Sequence, residues 1–236
     1  MATILNIETS TEVCSVVLAK DGETLFEKES AEGLNHSELL TVFIEELFAE
    51  NNLQMQILDA VAVSKGPGSY TGLRIGVSVA KGLCYALEIP LIAVGTLDAL
   101  GFYVSQNFNH SEATVAGTIL FCPMIDARRM EVYTALYNTK GEKIKPVSAE
   151  IIDENSFASF LKEYKICFFG NGAAKCRSLL NHVNASFEGP SKTSARFMQK
   201  LAERKYNNNK FENVAYFEPF YLKNFVATIP KNKLLK

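Results

Sequence analysis

The sequence predicts an α/β protein built from two similar lobes that face each other across a cleft. The main observation is that one order of predicted elements, β-β-β-α-β-α-β-α, occurs twice along the chain. Hairpin-forming strands followed by helical crossovers are typical of mixed sheets covered by helices. With 236 residues, 47% of them hydrophobic, the chain has enough apolar side chains for a core in each lobe.

The first half opens with β-rich runs joined by turn residues and then alternates helices with short apolar strands. Asp21-Gly22 is a two-residue hairpin signal between the second and third strands. Asn35 and Glu38 have the spacing of a capping box, which opens the first helix, and Thr96 caps the third. We predict strands over residues 3–7, 13–19, 23–29, 60–64 and 91–94, and helices over 35–50, 72–87 and 96–106.

The second half repeats this order. Residues 126–129 separate its first two strands, and residues 138–141 turn into the third. We place the two lobes at residues 1–101 and 102–236, and we expect part of the C-terminal segment to pack back on the first lobe. The predicted strands are 118–124, 131–137, 145–152, 166–169 and 185–187, and the helices are 155–164, 173–180 and a basic helix at 195–206.

The loop at residues 65–76, Lys-Gly-Pro-Gly-Ser-Tyr-Thr-Gly-Leu-Arg-Ile-Gly, joins a predicted strand to a predicted helix. Gly66 and Gly68 permit positive φ or close backbone approach, and Thr71 is a suitable N-cap. A helix start of this kind offers free N–H groups to an anion, with Arg74 one turn away. The loop is not a Walker A motif, because no Lys-Ser/Thr pair follows its last glycine. The alternative is a rigid strand-to-helix turn that binds nothing.

The helix at residues 72–87 is apolar nearly all round. Gly72, Gly76 and Ala80 are four residues apart and share one face, which lets another helix approach closely. This helix lies either wholly in the core, or half in the core and half in a subunit interface. It is short and stops before Pro90, which argues against a membrane span. The interface residues that we predict on this helix and on helix 35–50 are Leu40, Phe43, Ile44, Leu47, Gly72, Leu73, Gly76, Val77 and Ala80.

Charge is distributed unevenly along the chain. The net charge of −2 and the pI near 6.0 do not suggest a protein that grips nucleic acid unaided. Residues 190–236 nevertheless carry ten Lys or Arg against three Glu, or +7, which leaves −9 for residues 1–189. This basic end is either a solvated face with a frayed tail or a surface where RNA or an acidic partner docks.

Cysteine usage and the N-terminus predict a reduced, cytoplasmic protein. The five cysteines include no Cys-x-x-Cys pair, and most lie in apolar patterns typical of buried small side chains. The first residues show no basic and apolar leader pattern, and no run of eighteen apolar residues occurs. We therefore expect no contact with a membrane.

Four local motifs resemble one family over essentially the whole chain. They are Ile7-Glu8-Thr9-Ser10, the loop of residues 66–76, Asp126-Ala-Arg-Arg-Met-Glu-Val-Tyr133 and Pro219-Phe-Tyr-Leu-Lys223. Within the actin, Hsp70 and sugar-kinase (ASKHA) superfamily, which has this duplicated order, they are similar to the bacterial TsaB (YeaZ) family. In that family the last motif usually ends in Arg, so Lys223 keeps the charge but loses the planar fork.

The resemblance implies an accessory subunit in the synthesis of threonylcarbamoyladenosine at position 37 of tRNA. The expected partners are TsaD (Gcp), the catalytic relative that transfers the threonylcarbamoyl group, and the ATPase TsaE. Alone, the chain is expected to pair with a second copy of itself, and to meet tRNA only through the complex.

The same resemblance predicts that the chain is not an enzyme and holds no metal. TsaD binds its metal through a His-x-x-x-His pair, and here the matching positions are His36 and Leu40. We therefore expect His36 to be an exposed residue at a helix start. His110 and His182 lie in polar, loop-like settings outside any nucleophile motif, which opposes the alternative of a metallopeptidase.

A small-molecule kinase of the same fold is the other alternative. Such kinases hold ATP phosphates between two glycine-rich turns, whereas the turns at residues 8–11 and 126–129 lack glycine. The paired arginines of the second turn bind a carboxylate or phosphate, or else form ion pairs within the loop. We expect no required cofactor and at most weak adenine-nucleotide binding. The predicted anion or nucleotide contacts are Glu8, Ser10, Gly66, Gly68, Ser69, Thr71, Arg74, Asp126, Arg128 and Arg129.

Overall fold

A computed structural model describes residues 2–33, 35–107 and 119–223, and its elements follow the predicted order. The strands are β1 (Thr3–Glu8), β2 (Cys14–Lys20), β3 (Glu23–Ser30), β4 (Ala60–Gly66), β5 (Leu91–Gly95), β6 (Ile119–Asp126), β7 (Glu131–Tyr137), β8 (Lys143–Ile151), β9 (Lys165–Phe169) and β10 (Ala185–Ser186). The helices are α1 (His36–Glu50), α2 (Tyr70–Leu87), α3 (Thr96–Asn107), α4 (Ala158–Glu163), α5 (Ala173–Cys176) and α6 (Gln199–Asn207).

The two halves form five-stranded sheets of the same topology. The strand orders are β3-β2-β1-β4-β5 and β8-β7-β6-β9-β10. In each sheet the first three strands are antiparallel, because short turns join them, and the last two are parallel, because helices connect them. The predicted duplication is therefore confirmed. No helix in the described part of the chain is both long enough and apolar enough to cross a membrane.

Helix boundaries in the second half differ from the prediction. Helix α4 begins at Ala158 instead of residue 155, because Phe157 has a left-handed φ of 61° and ends a turn that begins at Asp153. Helix α5 ends at Cys176, after a single turn. The basic helix divides into a 3-10 turn, Ala195–Phe197, and α6. In the first half, the Asn35 side chain makes no capping hydrogen bond, so the predicted capping box does not form.

Helices α3 and α6 lie between the two sheets. Helix α3, from the first half of the chain, packs on the second sheet, and α6, from the second half, packs on the first sheet. Leu97 and Leu100 of α3 lie in a cluster with Phe121 of β6 in the second sheet. Met198, at the start of α6, and Ala202 lie against strands of the first sheet. The predicted division between residues 101 and 102 therefore falls inside α3. Helices α1 and α2 cover the other face of the first sheet, and α4 and α5 cover that of the second.

The segment after α6 runs back along the first lobe. Glu212 forms an isolated antiparallel bridge with Leu91 of β5. Lys81 of α2 donates hydrogen bonds to two carbonyl oxygens of this segment, each at 3.1 Å. The N–H of Phe220 donates to the carbonyl of Lys65 at 2.7 Å. The C-terminal segment thus follows α2 over much of its length.

Helix α2 lies against the loop after β1 at close range. A Cβ atom at Gly72 would lie 2.1 Å from the carbonyl oxygen of Thr9, and one at Gly76 would lie 2.2 Å from Thr9 Oγ1. Thr9 Oγ1 donates a hydrogen bond to the Gly72 carbonyl at 2.8 Å. The glycine stripe predicted to meet another chain is therefore covered by the chain's own β1–β2 loop.

Replacing Gly72 with Ala should lower the free energy of unfolding by about 3 kcal/mol, because the new methyl group meets a backbone oxygen that cannot rotate away. Gly82 in the same helix is the matched control, since a Cβ there meets nothing within 4 Å. Gly82→Ala should raise the free energy of unfolding by about 0.5–1 kcal/mol through helix propensity. Urea denaturation of both variants tests this, and equal effects at the two sites would contradict it.

Candidate functional site

The end of β1 places a carboxyl group inside the protein. Glu8 is buried and accepts a hydrogen bond from the N–H of Ser10 at 2.6 Å. Ser64, at the end of β4, lies beside it and shares a 2.8 Å hydrogen bond with Thr96. Burial raises the pKa of Glu8 above its ordinary value of 4.5, and hydrogen bonds from Ser10 and Ser64 oppose that rise only in part. Glu8 is thus an internal carboxyl group without access to a ligand in solution.

The glycine loop does not form an open anion-binding site, because its backbone packs against Ser10. Ser69, not Thr71, is the N-cap of α2, and its Oγ accepts a hydrogen bond from the N–H of Gly72 at 3.3 Å. The N–H of Ser69 donates to the carbonyl of Ser10 at 2.6 Å, and a Cβ at Gly68 would lie 2.2 Å from that same oxygen. The space in front of the loop is filled by the β1–β2 loop. The alternative of a rigid strand-to-helix turn fits these contacts better.

Neither Thr71 nor Arg74 forms part of an anion site at this loop. Thr71 faces solvent, and Arg74 contacts the C-terminal segment. Thr71 is exposed and caps nothing. The guanidinium group of Arg74 lies 4.4 Å from the ring centroid of Tyr70, and its Nε donates to the hydroxyl of Tyr221 at 3.2 Å. A Cβ at Gly66 would lie 2.8 Å from the carbonyl oxygen of Phe220. This end of α2 therefore holds the chain's own C-terminal segment.

A single amide side chain joins the turns of the two lobes. Nδ2 of Asn171 donates to Glu12 Oε2 at 2.8 Å, and its Oδ1 accepts from the N–H of Asp126 at 2.9 Å. Nearby, the hydroxyl groups of Thr11 and Thr193 share a 2.6 Å hydrogen bond between the lobes. Side chains thus join the ends of the two turns at residues 8–11 and 126–129, which carry several of the predicted anion or nucleotide contacts. Asn171 was missed in the sequence, although Gly-Asn-Gly directly after a strand is a turn signal.

The second predicted turn keeps its arginines exposed. Asp126 pairs with Lys175, and its Oδ1 also accepts from the N–H of Arg128 at 2.7 Å. Among residues 2–33, 35–107 and 119–223, neither Arg128 nor Arg129 has a side-chain hydrogen bond or ion pair. The described residues therefore do not support the alternative in which these arginines form ion pairs within the loop.

His36 begins helix α1, as predicted, but the prediction that its side chain is exposed is wrong. His36 is buried, and its Nε2 donates to the carbonyl of Val13 at 3.1 Å. Leu40, at the second position of the TsaD-type pair, lies in the core. The exposed His182 accepts a hydrogen bond from the N–H of Asn184, and His110 lies outside the described residues. Within the described ranges, no three His, Cys, Asp or Glu side chains are grouped so that they could hold a metal.

The residues predicted for the interface lie almost entirely in the first lobe's own core. Eight of the nine are buried and Phe43 is half-buried, so these side chains cannot themselves meet a partner. On α2 the outer face instead carries Ser78, Gly82 and Ala86, which are exposed and again four residues apart. The same helix carries the half-buried apolar side chains of Ile75, Val79 and Leu83, and α1 carries those of Leu39 and Phe43. We call these eight residues with Val42 the α1–α2 outer face.

The charges of the basic helix are used within the chain. Arg196 makes a two-point ion pair with Glu27 of β3, and Lys200 lies 3.3 Å from Glu23 of the same strand. The guanidinium of Arg204 stacks 4.5 Å from the ring centroid of a phenylalanine, and Lys205 donates to a backbone carbonyl. This favours the alternative of a structural face over an RNA surface at α6.

Replacing Glu8 with Gln should make the stability less dependent on pH. Since the folded pKa of Glu8 is raised, the folded chain keeps this proton to a higher pH than the unfolded chain does. The free energy of unfolding of the native chain should therefore fall as the pH rises from about 4.5, the ordinary pKa, towards the folded pKa of Glu8. In that window the Glu8→Gln variant should gain stability relative to the native chain.

Urea denaturation of both proteins between acid and neutral pH measures this difference. The same substitution at Glu163 is the control, because it removes one carboxylate that is exposed to solvent in the folded chain. A stability difference between native chain and Glu8→Gln that stays constant with pH would show that Glu8 is not the titrating group.

Comparison with known proteins agrees with the fold and the motifs. The family model described as "TsaD: tRNA N6-adenosine threonylcarbamoyltransferase" matches residues 30–231. The chain is similar to the tRNA threonylcarbamoyladenosine biosynthesis protein TsaB of Bacillus subtilis, with 32% identity over 77% of this chain and 76% of the relative. The protein of the same name from Haemophilus influenzae is 28% identical over 95% of both chains.

Solved structures give the same result. YeaZ from Pseudomonas aeruginosa has a TM-score of 0.73 and 26% identity, covering 94% of this chain and 100% of that one. Together with the family model, which spans most of the chain, and the Bacillus subtilis relative, this similarity identifies the family. The chain belongs to the TsaB (YeaZ) family of tRNA threonylcarbamoyladenosine biosynthesis proteins.

Proposed function

We propose that the chain is a non-catalytic subunit that pairs with the catalytic relative TsaD when threonylcarbamoyladenosine is made at position 37 of tRNA. In this proposal the pair recruits the ATPase TsaE, and the chain forms a homodimer when TsaD is absent. It works in the cytoplasm, without a resident cofactor and with at most weak adenine-nucleotide binding in the cleft. The observation that carries the proposal is the exposed, small and apolar outer face of α1 and α2.

The cleft supports a non-catalytic role. Glu8 is buried, the glycine loop is filled by Ser10, and Asn171 spans the turns of the two lobes. A bound nucleoside triphosphate would have to break these hydrogen bonds, each of which contributes on the order of 1 kcal/mol to the stability of the folded chain. The same contacts oppose the alternative of a small-molecule kinase.

The α1–α2 outer face supports helix-to-helix pairing. Ser78, Gly82 and Ala86 have small side chains, and a Cβ at Gly82 would meet nothing within 4 Å, so the backbone of another helix can approach there. Val42 of α1 is a further apolar side chain with 42% of its surface exposed. Burying apolar side chains of this kind stabilises a complex by about 25 cal/mol for each Å² removed from water.

A groove extends this face toward the C-terminal segment. It has a volume of about 510 Å³ and is lined by Lys81, Gly82, Tyr85 and residues 213–215. Tyr85 is 82% exposed at its edge, and tyrosine is frequent where protein surfaces bind each other. A partner that covers α2 would therefore reach an aromatic anchor as well.

The proposed partner has a related fold, which explains both kinds of pairing. TsaD is expected to carry a lobe with helices at the same places, so the two outer faces could meet about a pseudo-twofold axis. A second copy of this chain presents the same face and can pair isologously. The two pairings are then mutually exclusive.

A charge placed on the outer face should abolish pairing without unfolding the chain. We expect Val42→Glu to weaken binding to TsaD by roughly tenfold or more, because the carboxylate would be buried without a partner. Val183→Glu is the matched control, since Val183 is 92% exposed and distant in sequence from both helices. Light scattering of each variant mixed with TsaD gives the mass of the complex.

Two companion measurements sharpen this test. Gly82→Leu should also prevent pairing while the chain stays folded, because space is open at that position. The native pair should support threonylcarbamoylation of a tRNA transcript, and the chain alone should not. Unchanged complexes with both variants, or turnover by this chain alone, would contradict the proposed function.

A further inference from the structure

A cavity lies where the end of α3, the start of β3 and the start of α6 meet. Its volume is about 380 Å³, which is within the range of small-molecule sites in proteins. Glu23 of β3 lines it and is in register with Lys20, which pairs with Thr3 at the start of β1. The turn at residues 8–11 follows the other end of β1, so this cavity is separate from the cleft. None of the ten predicted anion or nucleotide contacts, all within the described ranges, lines it.

Three aromatic side chains line the cavity. Phe102 and Tyr103 belong to α3, and Phe197 belongs to the turn before α6. The ring centroids of Tyr103 and Phe197 are 4.2 Å apart with 33° between the ring planes, and the guanidinium of Arg204 lies 4.5 Å from the centroid of Phe102. Because each ring already has a partner within the protein, the aromatic surface is preformed. Such a surface is suited to binding a planar ring.

Gln199 brings a hydrogen-bond donor to the same cavity. Only 8% of this residue is exposed, and it lines the cavity. Its Oε1 accepts a hydrogen bond from Oγ1 of Thr24 at 2.8 Å, which orients the amide group. Within the part of the chain that the structure describes, its Nε2 donates to no other group. Because buried donors are nearly always paired in folded proteins, the cavity favours an occupant with an acceptor atom at this position.

The charged groups around the cavity neutralise one another. Arg196 makes a two-point ion pair with Glu27, and Lys200 lies 3.3 Å from Glu23. The described rim therefore has no surplus charge with which to hold a phosphate or a carboxylate. It also carries the exposed amide of Gln106, which can both donate and accept hydrogen bonds. An uncharged ligand with polar atoms at its edge fits this lining.

We propose that this cavity binds an uncharged nucleoside. A nucleobase is a planar ring with hydrogen-bond acceptors and donors along its edge, which matches aromatic rings beside amide groups. Glutamine and asparagine amides are suited to two-point contacts with adenine, so adenosine is the probe. The neutral rim favours the nucleoside over a nucleotide. A ring without an acceptor, such as indole, would leave Nε2 of Gln199 unpaired. The site shares no residue with the α1–α2 outer face and goes beyond the proposed function.

Isothermal titration calorimetry of the full chain with adenosine tests the proposal. Adenosine should bind saturably, and ATP should bind no more tightly, because its phosphates gain no ion pair. Indole should bind roughly five- to tenfold more weakly, since it cannot accept from Gln199. Amide hydrogen exchange with saturating adenosine should slow in the start of β3, the end of α3 and the start of α6.

Gln199→Leu removes the donor and keeps an apolar side chain of similar length. We expect adenosine binding to weaken roughly five- to tenfold and indole binding to stay unchanged. Gln56→Leu is the matched control, since Gln56 is exposed and does not line the cavity. Gln106→Leu provides the same comparison if Gln199→Leu does not fold, because the Gln106 side chain is exposed and outside the core.

A nucleobase could also reach the cavity as an unpaired base of RNA, so oligoadenylate is a further competitor. We expect it to displace adenosine weakly, because its phosphates meet no surplus positive charge among the described residues of the rim. Displacement as strong as that by free adenosine would assign the base to RNA and contradict the proposal of a free nucleoside.

Three other results would overturn the proposal. The first is a native chain that does not bind adenosine. The second is tighter binding of ATP with exchange protection at residues 8–11 and 126–129, which would place the ligand in the cleft. The third is indole binding as tight as adenosine binding, which would show an apolar cavity without recognition of a polar edge. Pairing with TsaD is measured with the outer-face variants, so failure of this proposal and failure of the proposed function are distinguishable.

Discussion

The contact between Thr9 and the first half of α2 is the constraint on which the rest of the site depends. Because the β1–β2 loop lies directly on Gly72 and Gly76, it occupies the space in front of the glycine loop and takes up the N–H of Ser69. The same contact fixes the rotation of α2. With one stripe of small residues turned inward, the second stripe, including Ser78 and Gly82, is turned to solvent. A filled cleft and an open helix face are thus two consequences of one packing arrangement.

The two lobes are also joined by residues at positions where a ligand-binding relative would keep open space. Helices α3 and α6 are inserted between the sheets, Asn171 joins the two turns, and the C-terminal segment runs from the first lobe to Glu131 in the second. Motion of the lobes about a ligand would break several of these contacts together. The arrangement favours a rigid unit that presents surfaces such as the α1–α2 outer face.

The sequence was sufficient for the topology, because a repeated order of strands and helices permits few alternatives. It was also sufficient for the family, because the motifs at residues 66–76 and 126–133 are specific. It was insufficient wherever tertiary contacts decide. Ser69 and Thr71 are both good caps, and the contact with Ser10 selects the first. Helix α2 has small residues at four-residue spacing on two faces and apolar residues all round, so periodicity could not tell which face packs inward. The ion pairs of Arg196 and Lys200 depend on β3, which is far away in the sequence.

Chemical labelling of one introduced cysteine tests the central claim most directly. The five native cysteines are buried and free of disulfides, and burial raises the pKa of each thiol, so the folded chain reacts slowly with alkylating reagents. Ser78→Cys adds one exposed thiol on the outer face of α2. The account predicts rapid alkylation of the dilute chain and at least a roughly tenfold slower rate with TsaD bound. An unchanged rate in a complex that demonstrably forms would place the partner elsewhere and contradict the account.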